Sequence, residues 1–324
     1  MTSDELLVVD NLSATYKLPH GRQLTAVANI SFTVYKGETL GLVGESGCGK
    51  STVARSIMRL PPPTGGTVVF EGHDLASLNA EALRHARTRL HMIFQDPISS
   101  LNPRRKVRDI VAEPMVIAGV GSAEERIRRA RIALEAVSLD PDLVMDRRPH
   151  EFSGGQCQRI AIARALIMEP RLVVCDEPVS ALDVSVRAQI LNLLEDMKAR
   201  YSLTLLFISH DLAVVKNISD RVAVMYLGRL CELASSERLY EAPLHPYTAA
   251  LMAAIPVMTS ERDDNSSRVL IGDLPSPMNP PSGCRFRTRC PRAATRCAEI
   301  EPEWREAKPD HFVACHFPLS RPHG

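Results

Sequence analysis

The stretch Gly41–Thr52, GLVGESGCGKST, restricts this chain more than any other. It places Gly44-x-x-x-x-Gly49-Lys50-Ser51 between an apolar run, TLGLV at 39–43, and a helix-forming run, TVARSIMRL. Strand, glycine-rich loop and helix is the setting in which this spacing cradles phosphate. Glycines let the backbone curl so that successive N–H groups point inward, and the helix start adds its dipole. Lys50 then reaches the outer phosphates and the Ser51 hydroxyl ligates magnesium. A chance match in a glycine-rich turn is the alternative, and the flanking strand and helix argue against it.

Further strand and helix patterns agree with an α/β chain. LLVV at 6–9 reads as a strand, and Asp183–Arg200 as a helix with Val186, Ile190, Leu193, Leu194 and Met197 on one face. A buried strand follows at Leu203–Ile208, and PPPTGG at 61–66 reads as a loop. From about 110 to 152 the chain turns helical and charged, as in SAEERIRRARIALEAV, which suggests a helical insertion. After about 234 prolines crowd in, SERDDNSS at 260–267 looks like an exposed loop or linker, and a domain boundary is placed there.

Two more stretches carry chemistry. RLVVCDEP at 171–178 ends an apolar strand in adjacent carboxylates, so Asp176 can face a magnesium shell while Glu177 polarises an attacking water. An Asp-Glu pair at a strand end is weak by itself and gains weight behind a phosphate loop. Ser153-Gly154-Gly155-Gln156 opens a helix; it fits a capping box, and equally a second anion site on exposed helix N–H groups. One nucleotide uses two such helix starts only if the second belongs to another molecule.

These residues, GESGCGKST, FSGGQ, VVCDEP, SALD and ISHD in this order, resemble the nucleotide-binding subunit of an ATP-binding cassette (ABC) transporter over roughly residues 5–233. The resemblance implies a P-loop ATPase core with an antiparallel β subdomain and a helical subdomain at about 100–165, within an ABC domain spanning 1–233. It also implies a head-to-tail dimer in which ATP lies between the P-loop of one subunit and the Ser153–Gln156 loop of the other. Site residues follow by the same resemblance: Gly44, Ser46, Gly47, Cys48, Gly49, Lys50, Ser51 and Thr52 hold the phosphates. Ser51, Gln95 and Asp176 hold Mg2+; Glu177, His210 and Gln95 serve hydrolysis; Tyr16 stacks on adenine; Asp183 communicates between the two sites. Tyr16 as a core tyrosine, Gln95 as a surface polar residue and Asp183 as an N-cap are the plainer readings.

EAPLHPYTAALMAAIP at 241–256 and GDLPSPMNPPSGCRFRTRCP at 272–291 resemble the C-terminal extension of oligopeptide and dipeptide importer ATPases, a branch that also serves nickel and glutathione uptake. HPYT, His245–Thr248, is its most recognisable piece; physically it is a short helix with a proline start, and no chemistry requires His245. The extension, 234–324, holds Cys284, Cys290, Cys297 and Cys315. In a reducing compartment such thiols read as metal ligands or core residues before disulfides. Their spacing is loose for zinc and lacks the ferredoxin run, so it does not decide. By resemblance in cysteine placement a [4Fe–4S] cluster is expected, with Zn2+ or unligated thiols as alternatives, and its role would be to stabilise a small tail.

Composition bounds the partners. Lys plus Arg number 39 against 38 for Asp plus Glu, so no broad field argues for nucleic acid. No apolar run approaches the roughly 18 residues of a membrane span, and the acidic start is unlike a secretory signal. The expectation is a peripheral ATPase on the cytoplasmic face of the inner membrane that powers peptide uptake. Its expected partners are a related ATPase chain, two membrane permease subunits and an extracytoplasmic solute-binding protein. The same role for nickel, glutathione or another small solute is the alternative, and a soluble non-transport ABC ATPase, which would carry a coiled-coil insertion or tandem cassettes, is less favoured.

Overall fold

Apolar runs flanked by turn residues become strands throughout a computed structural model of the chain, which describes residues 4–255 and 272–320. The run 260–267 read above as a linker lies outside the described residues. In chain order the first elements are β1 (Glu5–Lys17), β2 (Gln23–Tyr35), β3 (Thr39–Val43), α1 (Lys50–Ile57), β4 (Gly65–Phe70), β5 (His73–Asp74), α2 (Ala80–Ala86) and β6 (Leu90–Ile93). Helices then dominate: α3 (Pro97–Ser100), α4 (Val107–Ala118), α5 (Ala123–Ala136), α6 (Pro141–Val144) and α7 (Gly154–Leu166). Next come β7 (Leu172–Asp176), α8 (Val184–Tyr201), β8 (Thr204–Ser209), α9 (Leu212–Ile218), β9 (Arg221–Tyr226) and β10 (Arg229–Ser235). The chain closes with α10 (Ser236–Glu241), α11 (Pro246–Ala253), α12 (Thr295–Glu299), β11 (Arg305–Lys308) and β12 (His311–Val313).

The described residues form two compact units, one of 4–8, 33–39 and 68–208, the other of 9–32, 40–67, 209–255 and 272–320. Within the second unit β12 pairs antiparallel with β10 through Glu232↔Val313 and Leu233↔Phe312.

In the first unit β6, β7 and β8 run parallel in the order β8-β7-β6, with Val173 opposite both His91 and Leu205. All of Leu172–Asp176 is buried, as expected for a parallel strand covered on both faces. The helices between β6 and β7 pack on one another, α4 against α5 and α7, and α5 against α7. Ser122 caps α5 by accepting from the Glu125 N–H at 3.2 Å, and Gly119 ends α4 in the left-handed conformation, φ 71°. In α8, Ile190, Leu193, Leu194 and Met197 are buried as the periodicity predicts, while Val186 stays half-buried.

In the second unit β9 pairs parallel with β3 and antiparallel with β10, and β12 links β10 to β11. The loop predicted at 61–66 is shorter than expected, since Gly65 and Gly66 open β4. The extension is held by protein contacts. Glu232, fully buried, accepts from the N–H groups of Leu244 at 2.6 Å and His245 at 2.9 Å, and pairs with His311 Nε2 at 2.7 Å. A carboxylate only accepts, so Nε2 carries the hydrogen. Three donors offset the desolvation that an isolated buried carboxylate suffers. Phe286 packs edge-on against Tyr226, ring centroids 5.2 Å apart, and lies 5.3 Å from the Tyr247 ring, while Tyr226 and Tyr247 meet at 4.7 Å. Each such aromatic pair is worth about 0.5–1.5 kcal/mol beyond the area it buries.

HPYT thereby acquires a physical account. His245 is the N-cap of α11, its Nδ1 accepting from the Tyr247 N–H at 3.0 Å, and Pro246 takes the first helical position. Burial lowers the His245 pKa from 6.5 to about 4, against the opposing pull of Glu232. Unfolded, the imidazole binds a proton near 6.5; folded, it does so only near 4. Between those values the unfolded chain holds more protons, so stability is complete above 6.5 and declines as pH falls toward 4, by about 1.4 kcal/mol per pH unit. His91, also lowered by burial to about 4, adds in the same direction. Melting temperature should therefore drop between pH 7 and 5, and His245→Asn, whose amide oxygen can still cap α11, should flatten part of that slope. An unchanged slope in the variant would contradict this account.

Candidate functional site

The phosphate loop lies in the second unit, between β3 and α1. Its shape is imposed by close backbone contact: a Cβ on Gly44 would stand 2.1 Å from the Met225 carbonyl oxygen of β9. Gly49 has φ +108°, and a Cβ there would stand 2.3 Å from the Ala26 carbonyl oxygen. Neither position accepts a side chain without moving a strand. No side chain caps α1, and intrahelical bonding begins with Val53, whose N–H donates to Gly49 O at 3.0 Å. The opening turn of a helix directs its amides outward toward an anion. Ser46 and Gly47 are exposed, Ser51 and Thr52 half-buried. Cys48 is buried beneath the loop and its carbonyl accepts from the Gly228 N–H at 2.8 Å, so only its backbone can serve a ligand. Lys50 is 4% exposed and donates to the carbonyls of Gly44 at 2.7 Å and Glu45 at 3.1 Å. Its ammonium is folded onto the loop by these bonds.

Three residues around this loop escaped the sequence reading. The Glu45 N–H donates to the Tyr247 hydroxyl at 3.0 Å. The Glu45 carboxylate accepts from both terminal nitrogens of Arg289, at 2.6 and 3.1 Å. Both partners come from the C-terminal extension, 202 and 244 residues away in sequence. Tyr16, half-buried in β1, and His210, exposed between Ser209 and Asp211, belong to the same unit. The turn holding His210 is fixed on both sides, since Asp211 N–H donates to Ser209 Oγ at 3.0 Å and Asp211 Oδ1 caps α9.

The carboxylates lie in the first unit. Asp176 ends β7 at 2% exposure, and Glu177, next to it, takes φ 48°. A non-glycine residue in this left-handed region costs about 1–2 kcal/mol, and such outliers gather at functional sites. The Glu177 N–H donates to Ile208 O at 3.0 Å, which holds the strained turn. Gln95, exposed just after β6, donates from Nε2 to Glu177 Oε2 at 3.1 Å. Two residues predicted to serve hydrolysis thus touch. Ser153 and Gln156 form a reciprocal capping box, with Gln156 N–H donating to Ser153 Oγ at 3.3 Å and Ser153 N–H donating to Gln156 Oε1 at 3.0 Å. Gly154 and Gly155 open α7 with their faces partly exposed. Asp183 stands at the N-cap position of α8 and is exposed, but its side chain makes no capping hydrogen bond.

Ser51, Asp176 and Gln95 each carry an oxygen of the hard kind that suits Mg2+, Asp176 and Gln95 in the first unit and Ser51 in the second. The cysteine expectation, by contrast, is corrected. Cys284, Cys290, Cys297 and Cys315 line one small cavity of about 10 Å³, with Phe286 and His316. Even so, among the described residues no group of three or more His, Cys, Asp or Glu side chains is placed to hold a metal ion, which removes both the iron–sulfur and the zinc assignment. Burial pushes the thiols of Cys284, Cys290 and Cys315 up, the last to about 11, favouring the neutral form over the thiolate that a metal needs. The expectation rested on resemblance in cysteine placement, which counts candidate ligands without reporting how their sulfurs are directed.

With this geometry in hand, similarity to known proteins is informative. Residues 27–180 match the ABC transporter family, and 231–297 match the oligopeptide/dipeptide transporter C-terminal region. A putative peptide import ATP-binding protein of Brucella ovis is 54% identical over 316 residues, covering 97% of this chain and 98% of its own. The oligopeptide transport ATP-binding protein AppF of Bacillus subtilis is 52% identical, over 90% of this chain and 89% of its own. Among solved structures, the dimeric ATP-binding cassette MJ0796 in a post-hydrolysis state with ADP and Pi superimposes with a TM-score of 0.65 and 29% identity, covering 71% of this chain and 99% of its own.

Gly44→Ala tests whether the loop is shaped as described. Its methyl group has no room against Met225 O, so nucleotide affinity should fall by at least about tenfold, some 1.4 kcal/mol. Titration with a fluorescent ATP analogue that returns wild-type affinity would contradict the close approach.

Proposed function

Because this chain belongs to the ABC transporter family, in the branch carrying the oligopeptide/dipeptide transporter C-terminal region, we propose that it is the ATP-hydrolysing subunit that powers peptide uptake. The observation that supports the reading is the hydrogen bond from Gln95 to Glu177, in a chain about half identical to peptide import and oligopeptide transport ATP-binding proteins over nearly its whole length.

Each residue then has a task. Backbone amides of Gly47, Gly49, Lys50, Ser51 and Thr52, with the Lys50 ammonium, bind the triphosphate, and Tyr16 stacks on the adenine. Ser51, Asp176 and Gln95 are the residues that would hold Mg2+, which when bound would neutralise charge on the phosphate oxygens. Glu177 accepts a proton from the attacking water, Gln95 orients that carboxylate, and His210 contacts the γ-phosphate. The Ser153–Gln156 loop, with its amides held in place by the capping box, covers the triphosphate bound to a second ATPase chain. Asp183, whose side chain makes no capping bond, would communicate with the neighbouring site.

The partners of such an ATPase are membrane permease subunits. Contacts to them centre on Gln95 and the segment 96–107, so that movement of Gln95 couples permease state to Glu177. A related second ATPase chain, a peripheral position on the cytoplasmic face of the membrane and a solute-binding protein outside complete the assembly. No helix among the described residues is long and apolar enough to cross a membrane. The extension at 234–324 belongs to the same polypeptide as a support for the ATPase.

Glu177→Gln keeps size and hydrogen bonding but removes the base. In the complex reconstituted with its permease partners, ATP turnover should fall by about two orders of magnitude or more, with nucleotide affinity within about threefold of wild type. Turnover within a few fold of wild type would contradict the assignment. Stimulation of the wild-type complex by nickel and not by peptides would correct the solute.

A further inference from the structure

The phosphate loop is in contact with the C-terminal extension through a residue of the loop itself. Arg289 places two guanidinium nitrogens on the Glu45 carboxylate, a paired geometry that lysine cannot reproduce. The Arg289 side chain is 5% exposed and that of Glu45 27%, so the pair is largely shielded from solvent. Arg289 is fixed in turn. Its guanidinium lies over the Tyr226 ring, 5.9 Å from the centroid, and Phe286, three residues earlier, is wedged among Tyr226, Tyr247 and His245. Arg285 donates to the Leu227 carbonyl from the same turn. The Tyr247 hydroxyl holds the Glu45 amide independently, from α11.

A carboxylate is an unfavourable group on a loop that must receive a triphosphate, because like charges repel most strongly where water is scarce. Arg289 removes that penalty without occupying the phosphate site. We infer that the C-terminal extension is a working part of the nucleotide site, with Arg289 neutralising and aiming the Glu45 carboxylate and Tyr247 fixing its backbone, so that nucleotide affinity depends on the extension. The inference rests on Gly44–Thr52 being the nucleotide-binding loop. Arg289 and Tyr247 are positioning residues, since neither is placed to touch reacting atoms.

The mechanism makes opposite predictions for the two ends of the pair. With the full-length chain and MgATP as probe, Arg289→Gln should raise Kd about tenfold, leaving a bare carboxylate beside the phosphates. Glu45→Gln should lower Kd, by about threefold, because the freed guanidinium then faces the nucleotide. The double variant E45Q/R289Q should return to within about threefold of wild type, and Tyr247→Phe should raise Kd about threefold. Rescue of Arg289→Gln by Glu45→Gln is the readout that a merely structural arginine does not give. A double variant as weak as R289Q, or wild-type affinity in R289Q, overturns the inference. Should R289Q be unfolded at the assay temperature, E45Q and Y247F carry the test: wild-type affinity in both overturns it. Lys50→Ala distinguishes the two levels, since an alanine there that binds MgATP normally removes the reading of the loop itself.

Discussion

Everything in the second unit is arranged around the place where the phosphate loop presses on β9. Gly44 meets the Met225 carbonyl so closely that no side chain fits, and Gly49 does the same against Ala26. A loop gripped at both glycines has little freedom left, so its amides are aimed before any nucleotide arrives, and the conformational entropy of ordering it is spent in folding and not in binding. The grip requires β9 to run parallel beside β3, in the register Val43↔Val224. That strand in turn anchors the extension, through Tyr226 and the β9–β10–β12 pairing. The tail is consequently an elaboration of the wall behind the loop.

The first unit is built on a different principle. There the buried strand β7 delivers its two carboxylates at the tip, and Glu177 is held in a left-handed turn by a backbone bond to Ile208. Strain of that kind persists only where the surroundings over-determine it, and β6 and β8 on either side of β7 supply that support. Gln95, at the end of β6, lies at the point where the sheet gives way to the helices, and its bond to Glu177 links the two. In the proposed cycle this bond is the natural place for a membrane partner to act on hydrolysis.

Local signals were legible in proportion to how locally they are determined. The strand at 39–43 and the helix covering 184–201 follow from apolar runs and periodicity, and the structure has them within a residue or two. The capping box at Ser153 was readable because it spans three residues. Asp183 was not, since an N-cap residue still has to turn its carboxylate toward the helix, and this one does not. Arg289 and Glu45 were invisible for a stronger reason: their meeting depends on the aromatic packing of Phe286, Tyr226 and Tyr247, which only the tertiary structure assembles. HPYT stood out as a pattern without a chemistry because its tyrosine acts on the phosphate loop, far from its own helix in sequence. The cysteines illustrate the reverse error, in which resemblance in cysteine placement suggested a metal for which no suitable side-chain group is found among the described residues.

The central claim is that a phosphate loop shaped in one chain is only half of a hydrolytic site, completed by the Ser153–Gln156 loop of another. The dependence of specific ATPase activity on protein concentration, in an equimolar mixture of this chain and the related ATPase chain, tests this most directly. Activity per chain should rise with concentration, approaching second order when dilute, as two chains must meet before water attacks. A specific activity that stays constant on dilution, in protein shown by sedimentation to be monomeric, would contradict it.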